Sequence, residues 1–69
     1  MPLRLRECRQ LAHMSQEKAA EVLGVSGRTI SNYERGKRYP DSRVLNAMAD
    51  LYGVSADQLM GRKPLVAND

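Results

Sequence analysis

Residues 26–38, Ser-Gly-Arg-Thr-Ile-Ser-Asn-Tyr-Glu-Arg-Gly-Lys-Arg, form the stretch that decides the fold. Ser26 is of a residue type that caps the beginnings of helices, and Gly36 is of the type that ends them. The spacing predicts a helix over residues 27–35, about two and a half turns at roughly 100° per residue. A helix this short is not stable alone, so the rest of the chain must support it.

The two faces of this predicted helix differ in chemistry. One face carries Ile30 and Tyr33 and can be buried. The opposite face carries hydrogen-bonding groups and positive charge, contributed by Arg28, Ser31, Asn32 and Arg35. The helix can therefore rest on a core while presenting a polar, basic surface to a ligand.

The chain is mildly basic, and its excess charge is concentrated in one segment. The 69 residues hold 11 Lys and Arg against 8 Asp and Glu, a net charge of +3. Residues 28–38 contain four basic residues and one acidic residue, Glu34, so their net charge equals that of the whole chain. A surface that binds a polyanion requires such clustering, whereas a solvated charged face is the plainer alternative.

Composition argues against several classes of function. One cysteine, Cys8, and one histidine, His13, are too few for an intramolecular disulfide or a zinc site, and we interpret Cys8 as a small buried hydrophobic residue. No nucleophile–base pair, metal-ligand cluster or phosphate loop is visible, so we expect neither an enzyme nor a cofactor. The absence of a membrane-length apolar run and of a signal-peptide core favours the cytoplasm.

Four further helices are predicted from apolar residues at helical spacing and from their caps. The first covers residues 3–13, with its apolar positions at Leu5, Cys8, Leu11 and Ala12. The second follows Ser15 as its cap and stops at Gly24. Gly24, Val25 and Ser26 then form a short joint, the arrangement of a helix-turn-helix.

The fourth helix is predicted over residues 42–52, capped by either Asp41 or Ser42, and Gly53 ends it. A short fifth helix begins with Ser55-Ala-Asp-Gln, the pattern of a capping box. Residues 62–69 show no periodicity and are predicted to be a flexible tail after a single domain at 1–61. Without strand-like alternation, the predicted fold class is all-α.

Together these residues resemble a known family. Residues 15–40 follow the pattern Ser-Gln-Glu-x-Ala-Ala-x-x-Leu-Gly-Val-Ser-x-x-Thr-Ile-Ser-x-Tyr-Glu-Arg-Gly-Lys-Arg-x-Pro, and residues 45–59 continue with Leu-x-x-Met-Ala-x-x-Tyr-Gly-Val-Ser-x-x-Gln-Leu. This pattern resembles the Cro/repressor-type helix-turn-helix, or XRE, family. The resemblance implies a compact five-helix bundle of the phage-repressor type, with helices 2 and 3 forming the helix-turn-helix. It also implies a prokaryotic or phage-encoded homodimer whose third helix enters the major groove of a pseudo-palindromic DNA operator.

The resemblance also assigns roles to individual residues. The base-reading positions fall on Gly27, Arg28, Ser31 and Asn32. The positions that touch the DNA backbone fall on Gln16, Arg35, Lys37 and Arg38. A structural ion pair falls on Arg9 and Glu34, with two separate solvated charges as the alternative. His13 replaces the glycine that is usual before helix 2, so we expect a strained bend there.

The function expected from these features is sequence-specific binding of double-stranded DNA by a transcriptional regulator, in the form of a repressor. No small-molecule effector is expected. The alternative is a protein-interaction module, such as an antitoxin whose main partner is another protein. Apolar residues that the core does not require are candidates for a dimer interface: Val44, Leu51, Met60, Leu65 and Val66.

Overall fold

Five α-helices build the part of the chain that the computed structural model describes, residues 3–65. They are α1 (Leu5–Leu11), α2 (Gln16–Leu23), α3 (Gly27–Glu34), α4 (Ser42–Tyr52) and α5 (Ala56–Leu59). No strand occurs within residues 3–65, and the predicted all-α class with five helices is confirmed. The helix α3 ends one residue earlier than predicted, at Glu34, with Arg35 as its C-cap.

Side-chain caps begin four of the helices where the sequence predicted them. Ser15, Ser26, Asp41 and Ser55 each accept a hydrogen bond from the backbone N–H three residues further on. Asp41, rather than Ser42, therefore caps α4. At α5 the capping box is complete, since the Gln58 Oε1 also accepts the Ser55 N–H at 2.9 Å. Such caps contribute about 1 kcal/mol each, which matters for helices this short.

The core lies where the inward faces of all five helices meet. Its buried members are Leu5, Cys8, Ala19, Ala20, Ile30, Tyr33, Leu45, Met48, Ala49, Tyr52 and Leu59. Cys8 is fully buried, as its interpretation as a hydrophobic residue required. Leu11 is 60% exposed and does not join the core, because it lies about 120° around the helix from Leu5. The inward position on α1 goes instead to a charged residue, Arg9.

The helices α2 and α3 pack mainly against each other and form the helix-turn-helix. Gly24 ends α2 with φ 74°, a left-handed conformation that glycine adopts without steric cost. The Val25 N–H then donates to the Ala20 carbonyl oxygen at 3.0 Å, which fixes the angle at which the chain enters α3. Ala20 is small and buried, so the two helices approach closely.

The connection between α1 and α2 holds the strained residue that the sequence predicted. His13 has φ 57°, and within residues 3–65 it is the one residue other than glycine with a positive φ. A side chain with a Cβ rarely adopts this region, because the Cβ approaches the following carbonyl oxygen. The bend is held by backbone hydrogen bonds from His13 N to Gln10 O, 2.9 Å, and from Met14 N to Arg9 O, 3.2 Å.

The segment after α5 turns back along that helix as far as residue 65. The Arg62 N–H donates to the Asp57 carbonyl oxygen at 2.7 Å, and the Gln58 Nε2 donates to the Pro64 carbonyl oxygen at 3.1 Å. Leu65 packs partly against the core. Val66 and the rest of the predicted tail lie outside the described residues, and the boundary at residue 61 stays a prediction. None of the helices in residues 3–65 has the length and apolar character needed to cross a bilayer.

Candidate nucleic-acid interface

The helix α3 is anchored on one face and open on the other. Ile30 is fully buried and Tyr33 is 7% exposed, so both side chains hold the helix against the core. On the other face Arg28 is exposed, while Ser31 and Asn32 are partly exposed. Residues three and four apart lie on one side of a helix, so these three polar side chains form a single patch.

Gly27 begins α3 beside this patch and contributes no side chain. A Cβ at this position would meet no atom within 4 Å, so the space in front of the first turn is open. Of the four residues assigned to base reading, three therefore present side chains, and the fourth leaves a gap that a ligand's surface can fill.

A buried carboxylate, that of Glu34, joins α1, α2 and α3 just behind this patch. Its side chain is 1% exposed. The Arg9 Nε donates to Glu34 Oε2 at 2.6 Å, and Arg9 Nη2 donates to Oε1 at 3.2 Å. The remaining Arg9 nitrogen, Nη1, donates to the Met14 carbonyl oxygen at 2.8 Å, next to the strained bend. The structure thus brings Arg9 and Glu34 together as a bidentate pair, which is the strong geometry for such ions.

Gln16, the first residue of α2, is oriented by the same carboxylate. Its Nε2 donates to Glu34 Oε1 at 2.9 Å. A primary amide carries two N–H groups, so one remains to donate to another acceptor. Gln16 is partly exposed, and it stands at the positive end of α2, where an anion such as a phosphate is favoured.

Hydrogen bonding and burial shift the pKa values of three groups in and around this pair. The hydrogen bond to Glu34 raises the pKa of Arg9, which therefore keeps its charge. Burial, followed by the negative charge of Glu34, raises the pKa of Tyr52 to about 12. The Tyr52 hydroxyl is buried and has no hydrogen-bond partner within residues 3–65. Burial likewise raises the pKa of the Cys8 thiol.

A basic loop follows α3 and folds back onto its end. Gly36 turns the chain with φ 76°, and the N–H groups of Lys37 and Arg38 both donate to the Asn32 carbonyl oxygen, at 2.9 and 3.3 Å. The side chains of Arg35, Lys37 and Arg38 are all exposed. The loop therefore places three exposed positive charges at the C-terminal end of α3.

Tyr39 continues this loop, and the sequence reasoning gave it no role. It is 69% exposed, although the next residue, Pro40, is fully buried. A phenol hydroxyl on an exposed ring can donate a hydrogen bond to a phosphate oxygen. The sequence feature that could have indicated this role is the position of an aromatic residue directly after two basic residues. Nowhere in residues 3–65 do three or more His, Cys, Asp or Glu side chains gather as a metal site would need.

The chain matches a family model described as helix-turn-helix over residues 5–59. It therefore belongs to the helix-turn-helix family, and the resemblance to XRE-type DNA-binding proteins is confirmed. It is 46% identical over 59 residues to the HTH-type transcriptional regulator ImmR of Bacillus subtilis. These aligned residues are 86% of this chain and 46% of ImmR. It is 37% identical over 60 residues to AnsR of the same organism, and the aligned residues are 87% of this chain and 52% of AnsR.

A solved structure and a third relative extend the comparison. The crystal structure of a transcriptional regulator from Listeria innocua superposes with a TM-score of 0.75 at 31% identity, over 94% of this chain and 61% of that one. The HTH-type transcriptional activator BcrR of Enterococcus faecalis is 33% identical over 63 residues, 91% of this chain and 31% of that protein. The chain spans about half the length of ImmR and AnsR.

Proposed function

We propose that this protein is a transcriptional regulator that binds double-stranded DNA sequence-specifically by placing α3 in the major groove. The observation that supports this most directly is the arrangement of buried and exposed side chains on α3. The helix is held from behind by Ile30 and Tyr33, and it presents Arg28, Ser31 and Asn32 together on its open face. The transcriptional regulators ImmR and AnsR are similar to this protein over most of its chain, which favours the same role here.

Base reading follows from the chemistry of two side chains. The Arg28 guanidinium can donate two parallel hydrogen bonds to O6 and N7 of guanine, and the Asn32 amide can pair with N6 and N7 of adenine. Each such bidentate pair contributes roughly 1–3 kcal/mol of discrimination between bases. Ser31 lies beside Arg28 on the same face and can reach a base edge, a sugar or a phosphate. Gly27, with open space around it, allows the first turn to approach the bases closely.

Phosphate contacts position the domain without reading sequence. Gln16 has a free amide N–H at the start of α2, and the basic loop supplies Arg35, Lys37 and Arg38. We assign Tyr39 to the same group because its exposed hydroxyl is next to this loop. If a dimer neutralises about six phosphates, DNA affinity should fall about 10³-fold between 50 and 200 mM salt.

The regulator acts as a homodimer and represses by occupying its operator. One helix-turn-helix covers only a half-site, so a two-fold dimer reads a pseudo-palindrome whose half-sites lie about one helical turn apart. Repression requires no more of the protein than occupancy of the DNA that RNA polymerase needs. The chain acts as a binding protein in the cytoplasm, where this DNA is found.

Selection of bound sites from a random pool of duplex DNA tests the proposal. The wild-type protein should enrich a motif with two-fold symmetry, and the Arg28→Ala variant should lose the preference at one base pair in each half. Enrichment of no motif, with no duplex binding in a gel shift at low salt, would contradict DNA reading. That result would favour a protein-interaction module instead. Circular dichroism of the variant separates loss of reading from loss of fold.

A further inference from the structure

An apolar groove opens between α2 and α4, at the end of α2 opposite to Gln16. It is open to solvent, has a volume of about 390 Å³ and is lined by Val22, Leu23, Ala47, Asp50 and Leu51. A second depression of about 310 Å³ continues it along α4, lined by Leu23, Arg43, Val44 and Ala47. Val22 on the rim is 54% exposed.

The charges along α4 indicate what the groove binds. Arg43 and Asp50 lie two turns apart on the same face of α4, about 10 Å along the axis and within roughly 20° of each other around it. Both side chains are exposed, and neither belongs to the ion pairs found within residues 3–65. Ala47 lies between them, and its small side chain leaves room for another helix to approach.

This pattern is self-complementary. In a two-fold interface the same surface contacts itself, so if one residue contacts a second residue of the other copy, that second residue contacts the first in return. When two α4 helices cross antiparallel about an axis near Ala47, Arg43 of each copy faces Asp50 of the other. The same arrangement brings Val44 opposite Leu51, which gives two apolar contacts flanked by two ion pairs.

We propose that this groove binds a second copy of the chain, with the two α4 helices antiparallel and the Arg43–Asp50 ion pairs formed at both ends. The inference rests on the homodimer of the proposed function and names the surface that forms it. Val44 and Leu51 belong to the apolar residues that the sequence singled out for an interface. All four of these residues that lie within residues 3–65 pack partly against the core, but Met60 and Leu65 line neither depression.

Charge reversal tests the pairing without removing apolar contacts. Arg43→Asp places two acidic residues face to face at each end of the interface, and Asp50→Arg places two arginines there. Each variant alone should dissociate at least about tenfold more readily than the wild type in analytical ultracentrifugation. An equimolar mixture of the two should recover the wild-type affinity, because every facing pair in the mixed dimer is again of opposite charge.

The controls make the same changes of net charge outside the groove. Glu7→Arg on α1 matches Asp50→Arg, and Lys63→Asp matches Arg43→Asp, and both residues are exposed. These variants should self-associate as the wild type does. The proposal is overturned if the wild type remains monomeric to high micromolar concentration, which would leave the groove to another protein. It is equally overturned if the single reversals dimerise normally, or if the folded variants fail to recover on mixing.

A failure of this surface is distinguishable from a failure of DNA reading. Arg43→Asp should keep its base preference on a duplex with one half-site and lose the extra affinity of a duplex with two. If the wild type shows no base preference on either duplex, the proposed function fails whatever the ultracentrifuge shows.

Discussion

His13 carries backbone strain that a single substitution can relieve. Its φ of 57° is favourable for glycine and costly for a residue with a Cβ. We expect His13→Gly to raise the free energy of unfolding by about 0.5–1 kcal/mol, the strain relieved being partly offset by the greater freedom of an unfolded glycine. Urea denaturation followed by circular dichroism measures it. His13→Ala is the matched control, since it removes the imidazole but keeps the Cβ, and an equal gain there would contradict the explanation.

Tyr52 should make stability sensitive to alkaline pH. Its pKa is raised from 10.0 to about 12, first by burial and then by the charge of Glu34, so folding favours the protonated phenol. This contribution is complete below pH 10 and is lost as the pH rises through about 12. Two pKa units correspond to about 2–3 kcal/mol.

The Tyr52→Phe variant isolates this effect. At pH 7 we expect it to be as stable as the wild type or slightly more stable, because the buried hydroxyl makes no hydrogen bond within residues 3–65. Between pH 10 and 12 the wild type should lose about 2 kcal/mol more than the variant. Tyr39→Phe, at an exposed position, should follow the wild type throughout. A variant that loses stability as steeply as the wild type would show that Tyr52 is not the group responsible.

At the scale of the element, the cap of α3 links stability to recognition. The Ser26 Oγ accepts the Thr29 N–H at 3.1 Å, and Ser26→Ala should cost about 1 kcal/mol. Because the first turn of α3 carries Gly27 and Arg28, its fraying should also weaken DNA binding. Ser55→Ala removes the equivalent cap of α5, where Ser55 Oγ accepts the Gln58 N–H at 3.0 Å. This variant should lower the stability of the fold without weakening DNA binding.

The measurement compares both variants by urea denaturation and by fluorescence anisotropy on an operator duplex, at a temperature where both are folded. An equal loss of DNA affinity in Ser26→Ala and Ser55→Ala would mean that DNA affinity depends on the overall stability of the fold and not on the order of α3.

The elements themselves could be predicted because their determinants are local. Ser26 and Gly24 act within one turn of where they stand, so caps, stops and helix order follow from spacing. The burial of Arg9 could not be predicted from helical spacing, since its partner Glu34 is 25 residues away and only the family resemblance joined the two. The bond from Gln16 to Glu34 is of the same long-range kind. Leu11 was wrongly predicted to be an inward apolar position, since it lies about 120° around the helix from Leu5 and is exposed.

At the scale of the whole molecule, the groove between α2 and α4 depends on how two helices cross. A helical wheel places Val44 and Leu51 at the edge of the apolar face of α4, but it does not show that Val22 on another helix stands beside them. The polar patch on α3 is the opposite case, because burial of Ile30 and Tyr33 alone determines which way Arg28 and Asn32 face. Recognition surfaces on one element are thus easier to predict than surfaces shared by two.

The whole molecule meets DNA through two kinds of contact, and a pair of substitutions separates them. Asn32→Ala removes a base-reading amide, so discrimination at one base pair in each half-site should fall by roughly 1–3 kcal/mol while the salt dependence stays the same. Lys37→Ala removes a charge from the exposed loop, so affinity for every sequence should weaken alike and the salt slope should decrease by about one per chain. Titrations of operator and scrambled duplexes at several salt concentrations measure both quantities. An ammonium group beside phosphates cannot distinguish bases that it does not touch. If Lys37→Ala altered base preference, or Asn32→Ala altered only the salt dependence of affinity, the assignment of base reading to α3 and of phosphate binding to its basic loop would therefore be wrong.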